Sequence, residues 1–198
     1  MVPRSGPLRS FRPTHSCYSP RVTLVLGIDP SLTATALASA GDAGLRHVLI
    51  RTTPAQPLPL RLRRIADSVY AAVKNWPGGP PDLVVVETPG FIQRHGGMEG
   101  VYRAQGAILA GLPAGLRVEL VGVARWRNGL GIKVPRGAGK QPFVDFALAL
   151  GAGLPRSPRA GRPDGDCADA YCLAEWGLRI LRAERTVQTV AGSATDAA

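Results

Sequence analysis

Val22-Thr23-Leu24-Val25-Leu26-Gly27-Ile28-Asp29-Pro30-Ser31 decides how this chain is read. The near-continuous apolar run over 22–28 predicts a central strand buried on both faces. It ends in a carboxylate and a proline. An acid there is costly unless it has a partner or a task. Residues 33–40, Thr-Ala-Thr-Ala-Leu-Ala-Ser-Ala, alternate small and polar and predict a second strand. Gly41-Asp42-Ala43-Gly44 is a turn, and Arg46 to Arg51 a third strand. Together they make a three-stranded meander.

Beyond Pro57 and Pro59 the period changes. Leu62, Ile65, Val69, Ala72, Val73 and Trp76 share one helical stripe, stopped by Pro77-Gly78-Gly79-Pro80-Pro81. Leu83-Val84-Val85-Val86 is a fourth apolar strand and again ends in an acid, Glu87. A helix over about 98–112 and a strand near 117–122 follow. A basic loop, 124–140, leads to a helix carrying Phe143, Val144, Phe146, Ala147 and Leu150. A Gly/Pro/Arg-rich segment, 151–165, precedes a last helix over 166–184. The order β-β-β-α-β-α-β-α-α implies an α/β architecture: a mixed five-stranded sheet with helices on both faces. That is the element order of the ribonuclease H-like fold. One domain is expected over 21–185, between a disordered basic arm, 1–20, and a disordered tail, 186–198.

Composition narrows the function. A chain of 198 residues, 45% apolar, has room for one well-buried domain. No run reaches the ~18 apolar residues of a membrane helix. Lys and Arg number 24 against 14 Asp and Glu, a net charge of +10. Counterion release makes nucleic acid the leading partner for such a chain. Cys17, Cys167 and Cys172 are odd in number and form no CxxC pair. A disulfide framework and a zinc site are both disfavoured, and a reducing compartment fits. The arm at 1–20 has no hydrophobic block for secretion, which points to the cytoplasm. Its Arg-rich, acid-free composition is shared with organelle transit peptides, so that route stays open.

Four acids then stand out: Asp29, Glu87, Asp166 and Asp169. Singly, each has an ordinary role as turn residue, strand end, helix cap or first-turn acid, and Asp164 competes for the cap. Jointly, two at strand ends and two on one helical face suggest convergence at a sheet edge. Carboxylates gathered in a basic chain suit hard divalent ions, and two-metal phosphodiester hydrolysis needs that donor set.

Gly27-Ile28-Asp29-Pro30-Ser31 with Thr33 to Ala38, then Val85-Val86-Glu87, then Asp166-Cys167-Ala168-Asp169-Ala170, resembles the RuvC-type Holliday-junction resolvases, closest to divergent phage and bacterial members. The resemblance spans about 22–182. It implies a homodimer that cuts four-way DNA junctions with two Mg2+ per site, Mn2+ substituting. Asp29, Glu87, Asp166 and Asp169 carry over as metal-binding catalytic residues. Basic residues after strand five and at the next helix start match Arg127 and Lys140. Lys133 and Arg136 interleave with Gly129, Gly131, Gly137 and Gly139 and belong to the same phosphate-facing stretch. Phe91 stands where the family has an apolar residue near its second acid, suited to wedging between bases, or else anchors a loop. Arg94 and His95 lie beside it, Arg94 as a phosphate contact. Tyr102, Gln105, Gly106, Ala107 and Gly111 form a small-residue helix face that packs on the sheet or, as in the family, on a second subunit. No residue identifies a branch-migration helicase partner.

Three other functions compete: a ribonuclease H-like nuclease for flapped, otherwise branched or RNA-containing substrates, a non-catalytic nucleic-acid-binding module, and an actin-like kinase. The kinase needs two lobes, and this chain has room for one. Acids beside phosphate without metal disfavour the bare binding module.

Overall fold

The computed structural model describes residues 23–42, 44–89, 98–157 and 161–195. The expected arm at 1–20, and Phe91, Arg94 and His95, lie outside them. Strands β1 (Leu24–Asp29), β2 (Ala34–Gly41) and β3 (His47–Arg51) form the meander, followed by helix α1 (Leu58–Lys74), strand β4 (Leu83–Thr88) and helix α2 (Met98–Gly111). Strand β5 (Val118–Gly122), helices α3 (Val123–Leu130) and α4 (Gln141–Ala149) and the long helix α5 (Gly165–Thr195) complete the chain. The sheet runs β3-β2-β1-β4-β5, with β1 antiparallel to β2 and parallel to β4. The fold is the mixed five-stranded, ribonuclease H-like sheet that element order implied.

Side-chain parity sorts each central strand. Leu24, Leu26 and Ile28 of β1, with Val84 and Val86 of β4, pack under α1 and α2. Val25, Leu83 and Val85 face α5, as do Ala36, Ala38 and Ala40 of β2. Alternation puts Asp29 and Glu87 on that second face. Parallel pairing of Gly27 with Val85 and Ile28 with Val86, carried one residue on, sets the two acids side by side.

α5 crosses this face so closely that neither Gly27 nor Gly177 has room for a side chain. A Cβ on Gly27 would lie 2.0 Å from the Ala170 carbonyl oxygen and 2.5 Å from the Ala174 nitrogen. One on Gly177 would meet Val85 at 2.6 Å and Val25 at 2.9 Å. The small inner face of α5, with Ala170, Cys172 and Ala174 fully buried, answers the small face of β2. Cys167 and Cys172 are free thiols that pack as small apolar residues.

Two expectations need correction. The 124–140 stretch is not all loop: α3 follows β5 directly, buries Trp126 and Leu130, and ends at Gly131 in the left-handed conformation. Its short, basic sequence shows only one apolar pair at i and i+4, too little for a periodic signal. The last helix also continues past 184 to Thr195, through most of the expected tail. Arg117 forks onto Glu184 with two 2.7 Å bonds, and Arg185 donates to the Thr23 hydroxyl at 2.5 Å. These contacts hold residues 184 and 185 against the starts of β5 and β1.

Candidate active site

The N-cap of α5 separates the capping acid from its neighbours. Asp164 Oδ1 accepts hydrogen bonds from the backbone N–H of Asp166 at 3.0 Å and of Cys167 at 3.2 Å. Asp164 is thus the capping residue. That leaves Asp166 and Asp169, three residues apart, for the face turned toward β1.

Asp29, Asp166 and Asp169 meet at one atom. The Lys140 ammonium lies 3.1 Å from Asp29 Oδ2, 2.6 Å from Asp166 Oδ1 and 2.7 Å from Asp169 Oδ2. Gly165 makes room for it: a Cβ there would press on the Lys140 side chain at 2.9 Å. Glu87 is fixed separately. Trp126 Nε1 donates to Glu87 Oε2 at 2.9 Å, and the Gln105 amide donates to the Glu87 carbonyl at 3.1 Å. Trp126 is fully buried and tilts against Phe143, with ring centroids 5.3 Å apart. Its indole has one orientation and Glu87 inherits it.

Burial pushes Glu87 up to about 7, and the charge of Asp29 adds to the push, while the Trp126 hydrogen bond opposes it. Asp169 also rises to about 7, through burial first, with Lys140 pulling it down and Asp29 pushing it up. Asp29 is raised for the same leading reason. Burial works against the charge of Lys140, but Asp29, Asp169 and Asp166 outweigh it and hold the ammonium above its ordinary range. Such a cluster of desolvated acids is stabilised by any cation that enters it.

Among the described residues no three Asp, Glu, His or Cys side chains form a finished cation site. The acids close on Lys140 instead. The donor set nonetheless fits a hard divalent ion: it is all oxygen, and Asp169 Oδ1 is buried without a hydrogen-bond partner.

The basic residues divide. Lys140 is inside the acid cluster. Arg127 stacks on Phe143 at 4.6 Å and Trp126 at 5.3 Å, and its charge lowers the pKa of Asp29, Glu87 and Asp169. Lys133 and Arg136 are exposed on the stretch between α3 and α4. Sequence reasoning missed Trp126 as a partner of Glu87. Its signal was weak: one tryptophan inside a basic stretch.

Comparison with solved structures gives the fold its relatives. Thermus thermophilus RuvC in complex with a Holliday-junction substrate matches with a TM-score of 0.60 at 24% identity, over 80% of this chain and 96% of that one. The fold is RuvC-like. A second Thermus thermophilus RuvC structure matches with a TM-score of 0.60 at 23% identity and the same coverage. No protein-family model and no curated protein sequence matches the chain. The RuvC-like likeness therefore stands on backbone arrangement, with the acids of β1, β4 and α5 as this chain's own evidence.

Proposed function

We propose that this protein is a Mg2+-dependent endonuclease that resolves four-way DNA junctions, working as a homodimer. The observation that carries the reading is the meeting of Asp29, Asp166 and Asp169 around one cationic atom, with Glu87 on the neighbouring strand. On a RuvC-like fold in a chain of net charge +10, that arrangement supports phosphodiester chemistry.

Asp29, Glu87, Asp166 and Asp169 are the residues to hold the metal, whose chemistry when bound is to activate water and neutralise the leaving oxygen. Trp126 and Gln105 keep Glu87 in place. Lys140 balances the acids and, once displaced from them, is long enough to meet a phosphate. Arg127 lends positive charge to the same locus. Lys133 and Arg136, both exposed, are the residues to follow the DNA backbone outside it. Phe91 and Arg94 stay with this reading as junction contacts. Two symmetric cuts require two sites, hence a twofold dimer.

The test is a substrate panel of four-way junction, flap, plain duplex and RNA–DNA hybrid, with Mg2+ and with Asp29→Asn. Junction cleavage that the variant abolishes while still binding junction is the expected outcome. Equal cutting of duplex and junction rejects the selectivity, and normal cutting by the variant rejects the site. Sedimentation of the active species checks the dimer.

A further inference from the structure

Two cavities open beside the acids, and Ser157, Asp164 and Asp166 line both. The larger, about 800 Å3, extends toward the ends of β2 and β3 and reaches Arg51, Thr52 and Arg64. The smaller, about 430 Å3, extends toward Lys140, Gln141 and Arg162. Because Asp166 lines both, they read as one groove crossing the N-terminal end of α5, with the acids at its middle.

The walls say what the groove takes. Small-molecule sites are mostly apolar and aromatic. Among the described residues no aromatic lines either cavity, and Val144 is the largest aliphatic side chain that does. Beside the carboxylates of Asp164 and Asp166, the polar groups on these walls include the hydroxyls of Thr33, Thr52, Thr53 and Ser157 and the guanidinium groups of Arg51, Arg64 and Arg162, donors of the kind that phosphates accept from.

The arginines are also at liberty to serve. Arg64 is exposed and pairs with no acid among the described residues, whereas its neighbour Arg63 pairs with Asp67 at 3.7 Å. Arg51 is half exposed and makes a long ion pair with Asp164 Oδ2 at 3.7 Å, the same distance as Arg63 to Asp67. Arg162 is exposed beside the antiparallel bridge of Arg156 with Pro163, and its carbonyl accepts from the Ser157 N–H at 2.8 Å. Arg61, in contrast, is committed to the scaffold. It donates to the Thr52 hydroxyl and to the Leu32 carbonyl, both at 2.9 Å, and so fixes the corner between β3 and α1.

We propose that this groove carries the phosphodiester backbone of the strand to be cut, with Arg51 and Arg64 gripping phosphates on one side of the scissile bond and Arg162 on the other. The proposal rests on the nuclease reading and adds a strand path that leaves the acids on the β3–α1 side and meets the start of α4 on the other.

The experiment measures junction binding by the Asp29→Asn protein across a salt titration, alone and with Arg64→Ala, Arg162→Ala or both. Each single change is expected to lower the slope of log affinity against log salt by about 1, and the pair by about 2. Arg63→Ala is expected to keep the parent slope. Thermal melting checks that each variant is folded. If the double variant keeps the parent slope and affinity while wild-type protein cuts junctions, the groove is rejected and the nuclease reading survives. If Arg63→Ala lowers the slope as much as Arg64→Ala, the effect is general charge and the groove is again rejected. If neither wild-type nor Asp29→Asn protein binds DNA of any form, both ideas fail together.

Discussion

Lys140 and Trp126 show how far single residues carry the site. Three acids share the Lys140 ammonium, so removing it leaves buried negative charge uncompensated. Lys140→Met is expected to lower the metal-free melting temperature at about pH 8 and to enlarge the rise that Mg2+ produces. Equal Mg2+ stabilisation of both proteins would show that lysine and metal do not compete. Trp126→Phe keeps a ring against Phe143 and deletes the N–H that Glu87 accepts. Stability in urea is expected to fall by about 1–3 kcal/mol, with more Mg2+ needed for half-maximal cleavage. A loss of stability with unchanged metal demand would confine Trp126 to packing. The four acids were legible because each sat at an element's end in a readable order. The Trp126 contact was not, since no spacing rule links a strand's last acid to a ring 39 residues later.

Among elements, the distance between β1 and α5 governs whether their acids meet. Gly27 sets that distance, because the atoms a Cβ would strike belong to the backbone of α5 and cannot rotate away. Gly27→Ala is expected to cost about 3 kcal/mol or more by forcing strand and helix apart. Gly106 on α2 is the counterpart, with nothing within 4 Å of the place a methyl group would take. Gly106→Ala is expected to gain about 0.5–1 kcal/mol from helix propensity alone. Thermal or urea unfolding of the two variants reads both signs, and a neutral Gly27→Ala would contradict the close packing. The strands and long helices were legible through apolar runs and the α1 stripe. α3 was not, because it gains its place from burying Trp126 and Leu130 against neighbours, and local sequence records little of that. The end of α5 was hidden likewise, since Glu184 and Arg185 are held by residues far away in sequence.

Over the whole molecule, the sheet separates two apolar cores and leaves its charged cluster at the ends of β1 and β4, so the acids act on global stability. Glu87 and Asp169 are raised to about 7 from ordinary values of 4.5 and 3.8. Below about pH 3 both groups are protonated, folded or unfolded, and favour neither state. As pH rises toward 7 the unfolded chain releases these protons first while the folded chain keeps them. The folded state then binds more protons, so its stability falls across that window and levels off above it. Metal binding demands the deprotonated carboxylates, so stabilisation by Mg2+ must grow over the same range. Urea unfolding with chelator and with Mg2+, at pH steps from about 4 to 8, measures both trends. The wild-type protein is compared with Glu87→Gln combined with Asp169→Asn, so that groups remote from these two acids cancel in the difference. The double variant is expected to lose most of the acid-to-neutral decline, leaving the share that raised Asp29 contributes, and to lose the Mg2+ gain with it. If it keeps the wild-type pH slope, the strain lies elsewhere in the chain and the acids are not the cluster described.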